Sequence, residues 1–185
     1  QPTESPVIRQ IPESELSGSR LTEGACIFRA PEMINIGEPI EWDCYDDDGL
    51  GPAKIALFRT DDGTLFSLQH HDLSPRRDFM IIYVRPDDIA THVDSALIAL
   101  GLTSSDLCWI PPTVSLRPAR LIRQDDNGVQ FRVGDYPCRA DAQAMVVRLA
   151  AGGHKQAYFI ETIQDGGPRL EFPDDFRSPP TTIPA

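Results

Sequence analysis

The chain has 185 residues, of which 41% are hydrophobic and 24% are charged, and its formal net charge is −11. This hydrophobic content is enough for a folded core and argues against global disorder. The strong negative charge argues against a general nucleic-acid binder and against adhesion to anionic lipid, because both need a basic surface. No apolar run is long enough for a transmembrane helix, so membrane insertion is not predicted either.

The two ends of the chain are predicted to lie outside the folded body. Residues 1–23 are polar and contain prolines, which is typical of a flexible N-terminal arm. Residues 164–185 form a proline-rich tail, in which Leu170, Phe172 and Phe176 are candidates to anchor the tail to the body. The folded part is expected between these two segments.

Residues 24–77 are predicted to form a β-rich section. The segments GACIFRA and EPIEWDCY are strand candidates, and AKIALFRT and TLFSLQHH flank a turn. That turn contains Asp-Asp-Gly, which is typical of a tight β-hairpin. Leu65 and Leu68 cannot share one face of a regular strand, which predicts a bulge or a change of exposure in the second strand of the hairpin.

Residues 78–163 show one order of elements twice, namely strand, helix, strand. The apolar strand DFMIIYVRP precedes a helix that begins near Asp87, and Gly101 is expected to end that helix. LCWI is the next strand candidate, RLIRQ and VQFRV flank an Asn-Gly turn, and QAYFIETI follows a second helix from about Cys138 to Ala151. Two such units predict an α+β fold in which a ferredoxin-like βαβ-βαβ section follows the β-rich section. The second helix is predicted to bury Ala142, Met145, Val146 and Leu149.

The stretch VQFRVGDYPCRADAQAMVVRLAAGGHKQAYFI resembles the second half of a SPOR domain, a module of bacterial cell envelopes. The resemblance covers residues 129–160. It consists of a strand that ends in Val-Gly, a short turn, an Arg-x-Asp-Ala helix start, a leucine, and a glycine before the last strand. The matching residues are Val133, Gly134, Arg139, Asp141, Ala142, Leu149 and Gly153.

The resemblance implies a sheet that binds peptidoglycan glycan strands lacking stem peptides. By this likeness, Gln130, Arg132 and Tyr136 would lie near the ligand. Strand alternation predicts that the apolar residues of VQFRV pack under the helices, so that Gln130 and Arg132 point to the opposite face. The first functional hypothesis is therefore a non-enzymatic binding domain of the bacterial envelope, periplasmic or secreted, that recognises peptidoglycan glycan or an envelope protein.

A small acidic inhibitor or immunity-type protein, which neutralises a basic toxin or enzyme, is the alternative hypothesis. It rests on the small size, the acidity and the lack of a catalytic signature. In that case Asp46, Asp47 and Asp48 would contact the basic partner. The same segment does not fit a calcium-binding EF loop, because Cys44 occupies the first ligand position and Ile55 stands where a glutamate is expected.

The segment SLQHHDLSPRR is the candidate for a catalytic or metal site. Neighbouring residues of a strand point to opposite faces, so His70 and His71 would diverge, whereas Asp72 would share a face with His70. A hydrolase built on His70 and Asp72 is a third hypothesis, but the sequence shows no further metal ligand nearby, and a polar strand end is favoured. Replacing both histidines with alanine is then expected to leave the fold intact. No cofactor or metal is predicted.

The cysteines stand at positions 26, 44, 108 and 138, and an even number allows two disulfides. A bridge between Cys26 and Cys44 is favoured because both lie in the β-rich section, and it would fit an oxidising compartment. Cys138 lies at a predicted helix N-terminus, where the helix dipole can lower the pKa of a thiol. No histidine is evidently paired with it, so a structural role is favoured.

Overall fold

The fold is described from a computed structural model of the chain. The structure describes residues 7–16, 18, 20–47, 51–72, 79–152, 156–170 and 172. Within these residues the chain forms ten β-strands in two sheets, two α-helices and three short 3-10 helices. The α+β class predicted from the sequence is confirmed. None of the described helices is both long and apolar enough to cross a membrane.

The larger sheet, sheet A, contains seven strands, and every neighbouring pair is antiparallel. Its order is β1-β4-β5-β6-β2-β7, while β3 pairs with the half of β4 that β1 leaves open. The strands are β1 Ile8–Gln10, β2 Thr22–Ile27, β3 Asp43–Asp47, β4 Gly51–Thr60, β5 Leu65–His71, β6 Met80–Val84 and β7 Leu107–Trp109.

The smaller sheet, sheet B, is antiparallel and has the order β10-β8-β9. Helix α1 packs against sheet A, helix α2 packs against all three strands of sheet B, and the two helices contact each other. The strands are β8 Ala119–Gln124, β9 Gln130–Tyr136 and β10 Ala157–Thr162. The helices are α1 Ile89–Ala99 and α2 Arg139–Ala150, and the 3-10 helices are Glu13–Leu16, Pro31–Met33 and Ser104–Asp106.

Both predicted strand-helix-strand units form, but they lie in different sheets. β6 and β7 flank the antiparallel β2, so α1 connects two parallel strands with one strand between them. Helix α2 makes the same connection between β9 and β10, which flank β8. Each unit is therefore a split βαβ motif. A single ferredoxin-like sheet is not confirmed, because β6 and β7 belong to sheet A and β8 to β10 form sheet B.

The main hydrophobic core lies between α1 and one face of sheet A. Phe58 on β4 and Phe66 on β5 pair across the strands, are fully buried, and have ring centroids 5.2 Å apart. Helical periodicity predicts one buried stripe on α1, and Val93, Ala96 and Leu97 are fully buried in this core. The apolar pattern thus predicted both the helix and its buried side.

Strand β5 is buried on both faces, which explains its sequence pattern. Leu65 and Leu68 point to opposite faces, yet both are less than a tenth exposed. The ladder between β4 and β5 is continuous, and burial persists along nearly all of β5, so neither the predicted bulge nor the predicted change of exposure is present between Leu65 and Leu68. The N-terminal segment covers the second face, where Ile11 packs with Leu57 and Leu65. A central strand covered on both sides does not need to alternate in polarity.

Both terminal segments contribute residues to the folded body. Within the predicted flexible arm of residues 1–23, β1 pairs with β4, and Ile11 is 4% exposed. The sequence pattern did not indicate this strand, because a short edge strand with polar side chains has the composition of a linker. In the tail, Leu170 and Phe172 pack against the main core as predicted, whereas Phe176 lies outside the described residues.

Candidate functional site

The residues predicted to bind a ligand lie on β9, but they do not share one face. Tyr136 pairs with Ala119, which is buried on the face of sheet B that α2 covers. A register shift in the middle of the ladder between β8 and β9 interrupts the alternation of β9. Gln130 and Arg132 lie beyond that shift on the face opposite α2. The structure therefore brings Gln130 and Arg132 together and separates Tyr136 from them.

We call the face of sheet B opposite α2 the open face. Asp135 accepts two hydrogen bonds from Arg120, at 2.9 and 3.1 Å, and one from Arg132 at 2.7 Å. The Arg120 guanidinium lowers the pKa of the Asp135 carboxyl. Phe159 on β10 is 44% exposed on this face. The strand register assigns to the open face Arg120, Ile122, Gln124, Gln130, Arg132, Asp135, Phe159 and Glu161.

The apolar residues of VQFRV do not pack under the helices as predicted. Val129, Phe131 and Val133 are 50%, 44% and 39% exposed. Phe131 pairs with Arg123, whose guanidinium carbon lies 5.1 Å from the ring centroid. On the face of sheet B towards α2, Leu121 is fully buried, whereas Phe131, nearer the β8–β9 hairpin turn, is exposed. Helix α2 therefore covers only one end of the sheet, a limit that strand alternation does not reveal.

The paired histidines belong to the body of the fold. His70 is 6% exposed, its Nδ1 atom lies 3.0 Å from the carbonyl oxygen of Phe79, and its Nε2 atom lies 3.7 Å from Asp72 Oδ1. The predicted shared face of His70 and Asp72 is therefore observed. The Nε2 atom of His71 instead lies 2.9 Å from Gln69 Nε2. Because His70 is buried, the premise that both histidines lie at a strand end with little packing does not hold for His70.

Neither the histidine segment nor the acidic segment forms a metal site in the described part of the chain, where no group of three His, Cys, Asp or Glu residues could hold an ion. The backbones of Asp46 and Asp47 end β3 and pair with Pro52 and Gly51. Asp48, the third residue of the predicted acidic contact, lies outside the described residues.

The predicted bridge between Cys26 and Cys44 is wrong, because all four cysteines are free of disulfides. Cys26 lies on β2 and Cys44 on β3, and β4, β5 and β6 lie between these strands. Four strand spacings amount to roughly 19 Å. A disulfide needs Cα atoms within about 7 Å of each other. Membership of the same sheet therefore does not bring these two cysteines close enough.

The neighbour of Cys26 is Cys108 on the adjacent strand β7. The two thiols are hydrogen-bonded, and both side chains are buried in a small cluster with Trp109. The hydrogen bond with Cys108 and the burial raise the pKa of Cys26. Cys26 is therefore a poorly reactive thiol at neutral pH, although the thiol of Cys108 lies within hydrogen-bonding reach of it.

Slow oxidation with oxidised glutathione is expected to join Cys26 to Cys108. The two thiols would lose two protons and two electrons to form one S–S bond, while one oxidised glutathione is reduced to two thiols. Cys44 is exposed and should be alkylated first. Peptide mapping by mass spectrometry would identify the linked pair, and a peptide that joins Cys26 to Cys44 would contradict the strand order.

A cleft of about 400 Å³ between α1 and the first turns of α2 was not predicted from the sequence. Asp94 on α1 is 8% exposed, and its carboxylate accepts hydrogen bonds from the backbone N–H groups of Arg139, at 3.0 Å, and Ala140, at 2.8 Å. Cys138, the N-cap residue of α2, makes no side-chain cap. Asp94 therefore caps α2 from another helix, and burial raises the pKa of its carboxyl.

Gln143 is the second buried polar residue in the cleft lining. It is 9% exposed, and its side-chain nitrogen has no hydrogen-bond partner among the described residues. The predicted stripe of α2 did not include it, and Met145 and Leu149 of that stripe are only partly buried. One sequence signal for the cleft was available, namely a polar residue among the buried positions of a helix. On α1, Asp94 follows the buried Val93 and is itself buried.

Comparisons with family models, curated proteins and solved structures gave no match to this chain. The resemblance to a SPOR domain remains a hypothesis from sequence.

Proposed function

We propose that this protein is a non-enzymatic binding domain of the bacterial cell envelope, periplasmic or secreted, that recognises peptidoglycan glycan through the open face of sheet B. The SPOR-like stretch of residues 129–160 supports the ligand class. One observation carries the choice of surface. The strand register places Phe159, Ile122 and Arg132 in one row across the three strands, with an exposed ring at one end and a guanidinium at the other.

The chemistry of this row suits a sugar polymer. An aromatic ring can stack on the apolar face of a sugar, and guanidinium and amide groups can donate hydrogen bonds to its hydroxyl and carbonyl oxygens. Asp135 orients Arg120 and Arg132 and balances part of their charge. In this proposal Phe159 is the stacking ring, because Tyr136, which the resemblance places near the ligand, lies on the face towards α2.

The test is pelleting with purified peptidoglycan. The double variant Gln130→Ala and Arg132→Ala is expected to lose pelleting, and Phe159→Ala to reduce it strongly. The melting temperature should change little, because the Arg132 side chain is 61% exposed and Asp135 keeps its contacts with Arg120. Arg148→Ala on α2 removes the same charge away from the open face and should pellet like the wild type.

Two outcomes would reject the proposal. Either the wild-type protein fails to pellet with peptidoglycan, or the open-face variants pellet as well as Arg148→Ala. Capture of one basic protein in a salt-sensitive complex that is weakened by replacing Asp46, Asp47 and Asp48 would instead support the acidic-inhibitor alternative.

A further inference from the structure

The cleft between α1 and α2 has the dimensions of a small-molecule site. Its volume of about 400 Å³ lies within the range of roughly 300–1,000 Å³ that is usual for such sites. Its lining comes from both helices, from the turn between β4 and β5, from Arg117 before β8, and from Thr162 at the end of β10. The cleft therefore lies where the split βαβ unit of α1 meets the split βαβ unit of α2, on the side of sheet B that faces α2.

The carboxylates of the cleft lining already have donors from the chain. Asp94 accepts the backbone N–H groups of Arg139 and Ala140. Asp62 accepts the hydroxyl of Thr60 and, at 3.0 Å, the backbone N–H of Thr64. Neither carboxylate therefore needs a cationic ligand to satisfy it.

The groups that remain available in the cleft are donors. The buried Gln143 side-chain nitrogen has no partner among the described residues, and leaving such a group unsatisfied is unfavourable. The Arg139 guanidinium makes no ion pair with the described part of the chain. Arg117 lies 3.2 Å from Asp88 through one nitrogen, and its side chain is 61% exposed. Arg117, Arg139 and Gln143 thus line one cavity, and the two cationic side chains face a lining whose carboxylates, Asp62 and Asp94, already have donors.

We propose that this cleft binds a small organic anion with a carboxylate or phosphate group. Arg139 and Arg117 would hold the anionic group, since the planar guanidinium presents paired N–H donors that match both oxyanions. Gln143 lines the same cavity, and its unpartnered amide nitrogen could donate to the ligand after a rotation of the side chain. Ser95 and Thr162 add hydroxyls to the lining, which favours a hydroxylated ligand over an apolar one.

The experiment is a thermal-shift and calorimetric titration of the full chain with glucose 6-phosphate, glucuronate and inorganic phosphate. Glucose serves as the neutral control, and sodium chloride matches the ionic strength. We expect a saturable rise in melting temperature with at least one anion and none with glucose. The preference between glucose 6-phosphate and glucuronate identifies the anionic group, because the two share a sugar ring.

The variants assign the effect to the cleft. Arg139→Gln changes an exposed side chain at the first position of α2 and is expected to weaken binding by about tenfold or more. Arg148→Gln, on the same helix but outside the cleft, should bind within about twofold of the wild type. Gln143→Glu places a negative charge in the cleft lining and should weaken binding about as much as Arg139→Gln. The melting curve of this variant shows whether it is folded. No shift beyond that of sodium chloride with any probe, or equal binding by Arg139→Gln and the wild type, would overturn the proposal.

Discussion

Replacing Asp94 with alanine is expected to lower the free energy of unfolding by about 2–4 kcal/mol. The change leaves the backbone N–H groups of Arg139 and Ala140 without their acceptor, the first in a partly buried and the second in a buried position. Cys138 cannot replace it, because its side chain makes no cap to the helix. The contact also joins α1 of one split βαβ unit to α2 of the other, so its loss weakens the junction between them.

Urea unfolding measures this loss, and Asp94→Asn is the matched variant. The asparagine oxygen can still accept one of the two N–H groups, so the variant is expected to lose roughly half as much stability as Asp94→Ala. A loss of less than about 1 kcal/mol for the alanine variant would show that solvent replaces the cap without difficulty.

The difference in stability between the wild type and Asp94→Asn is also expected to depend on pH. Burial raises the pKa of the Asp94 carboxyl in the native state above its usual value of 3.8. Between the two pKa values, the carboxyl of the native protein is still protonated whereas that of the unfolded chain has lost its proton. The contribution of Asp94 to the free energy of unfolding is therefore complete below the unfolded pKa and is lost as the pH rises through the native pKa. The stability of the wild type relative to Asp94→Asn should therefore fall as the pH rises above about 4. A difference that is independent of pH would contradict the raised pKa.

Replacing Phe66 with alanine is expected to destabilise the protein by about 3–5 kcal/mol. Phe66 is fully buried against α1 and stacks with Phe58, so alanine leaves a cavity that strands on both sides of β5 prevent from closing. The matched control is Phe131→Ala, the same change at a side chain that is 44% exposed. It should cost less than about 1 kcal/mol.

Urea unfolding of the two phenylalanine variants also tests where the helices cover the sheets. Alternation along β9 predicts that Phe131 packs under α2, whereas the structure leaves it beside Arg123 at the uncovered end of sheet B. Equal losses of stability for the two variants would mean that Phe131 is as well packed as Phe66.

The sequence by itself determined the local elements, because their causes are local. The Asp-Asp-Gly and Asn-Gly turns predicted the two hairpins, and Gly63 and Gly128 have the positive φ that such turns require. The apolar spacing predicted α1 and its buried side, with Asp88 as its N-cap and Gly101 just beyond its end. Such signals come from hydrogen bonds and backbone preferences between residues that are near one another in the chain.

Only the tertiary structure decided which elements are neighbours. The two split βαβ units resemble each other in sequence pattern, yet α1 packs on sheet A and α2 on sheet B. The strand order places Cys108 rather than Cys44 beside Cys26, and one register shift moves Tyr136 to the other face from Arg132. The cap of α2 comes from Asp94, a residue of the other helix. Pairing and burial of this kind depend on which distant segments the folded chain brings together. Residue preference and periodicity are local properties and do not specify which distant segments become neighbours.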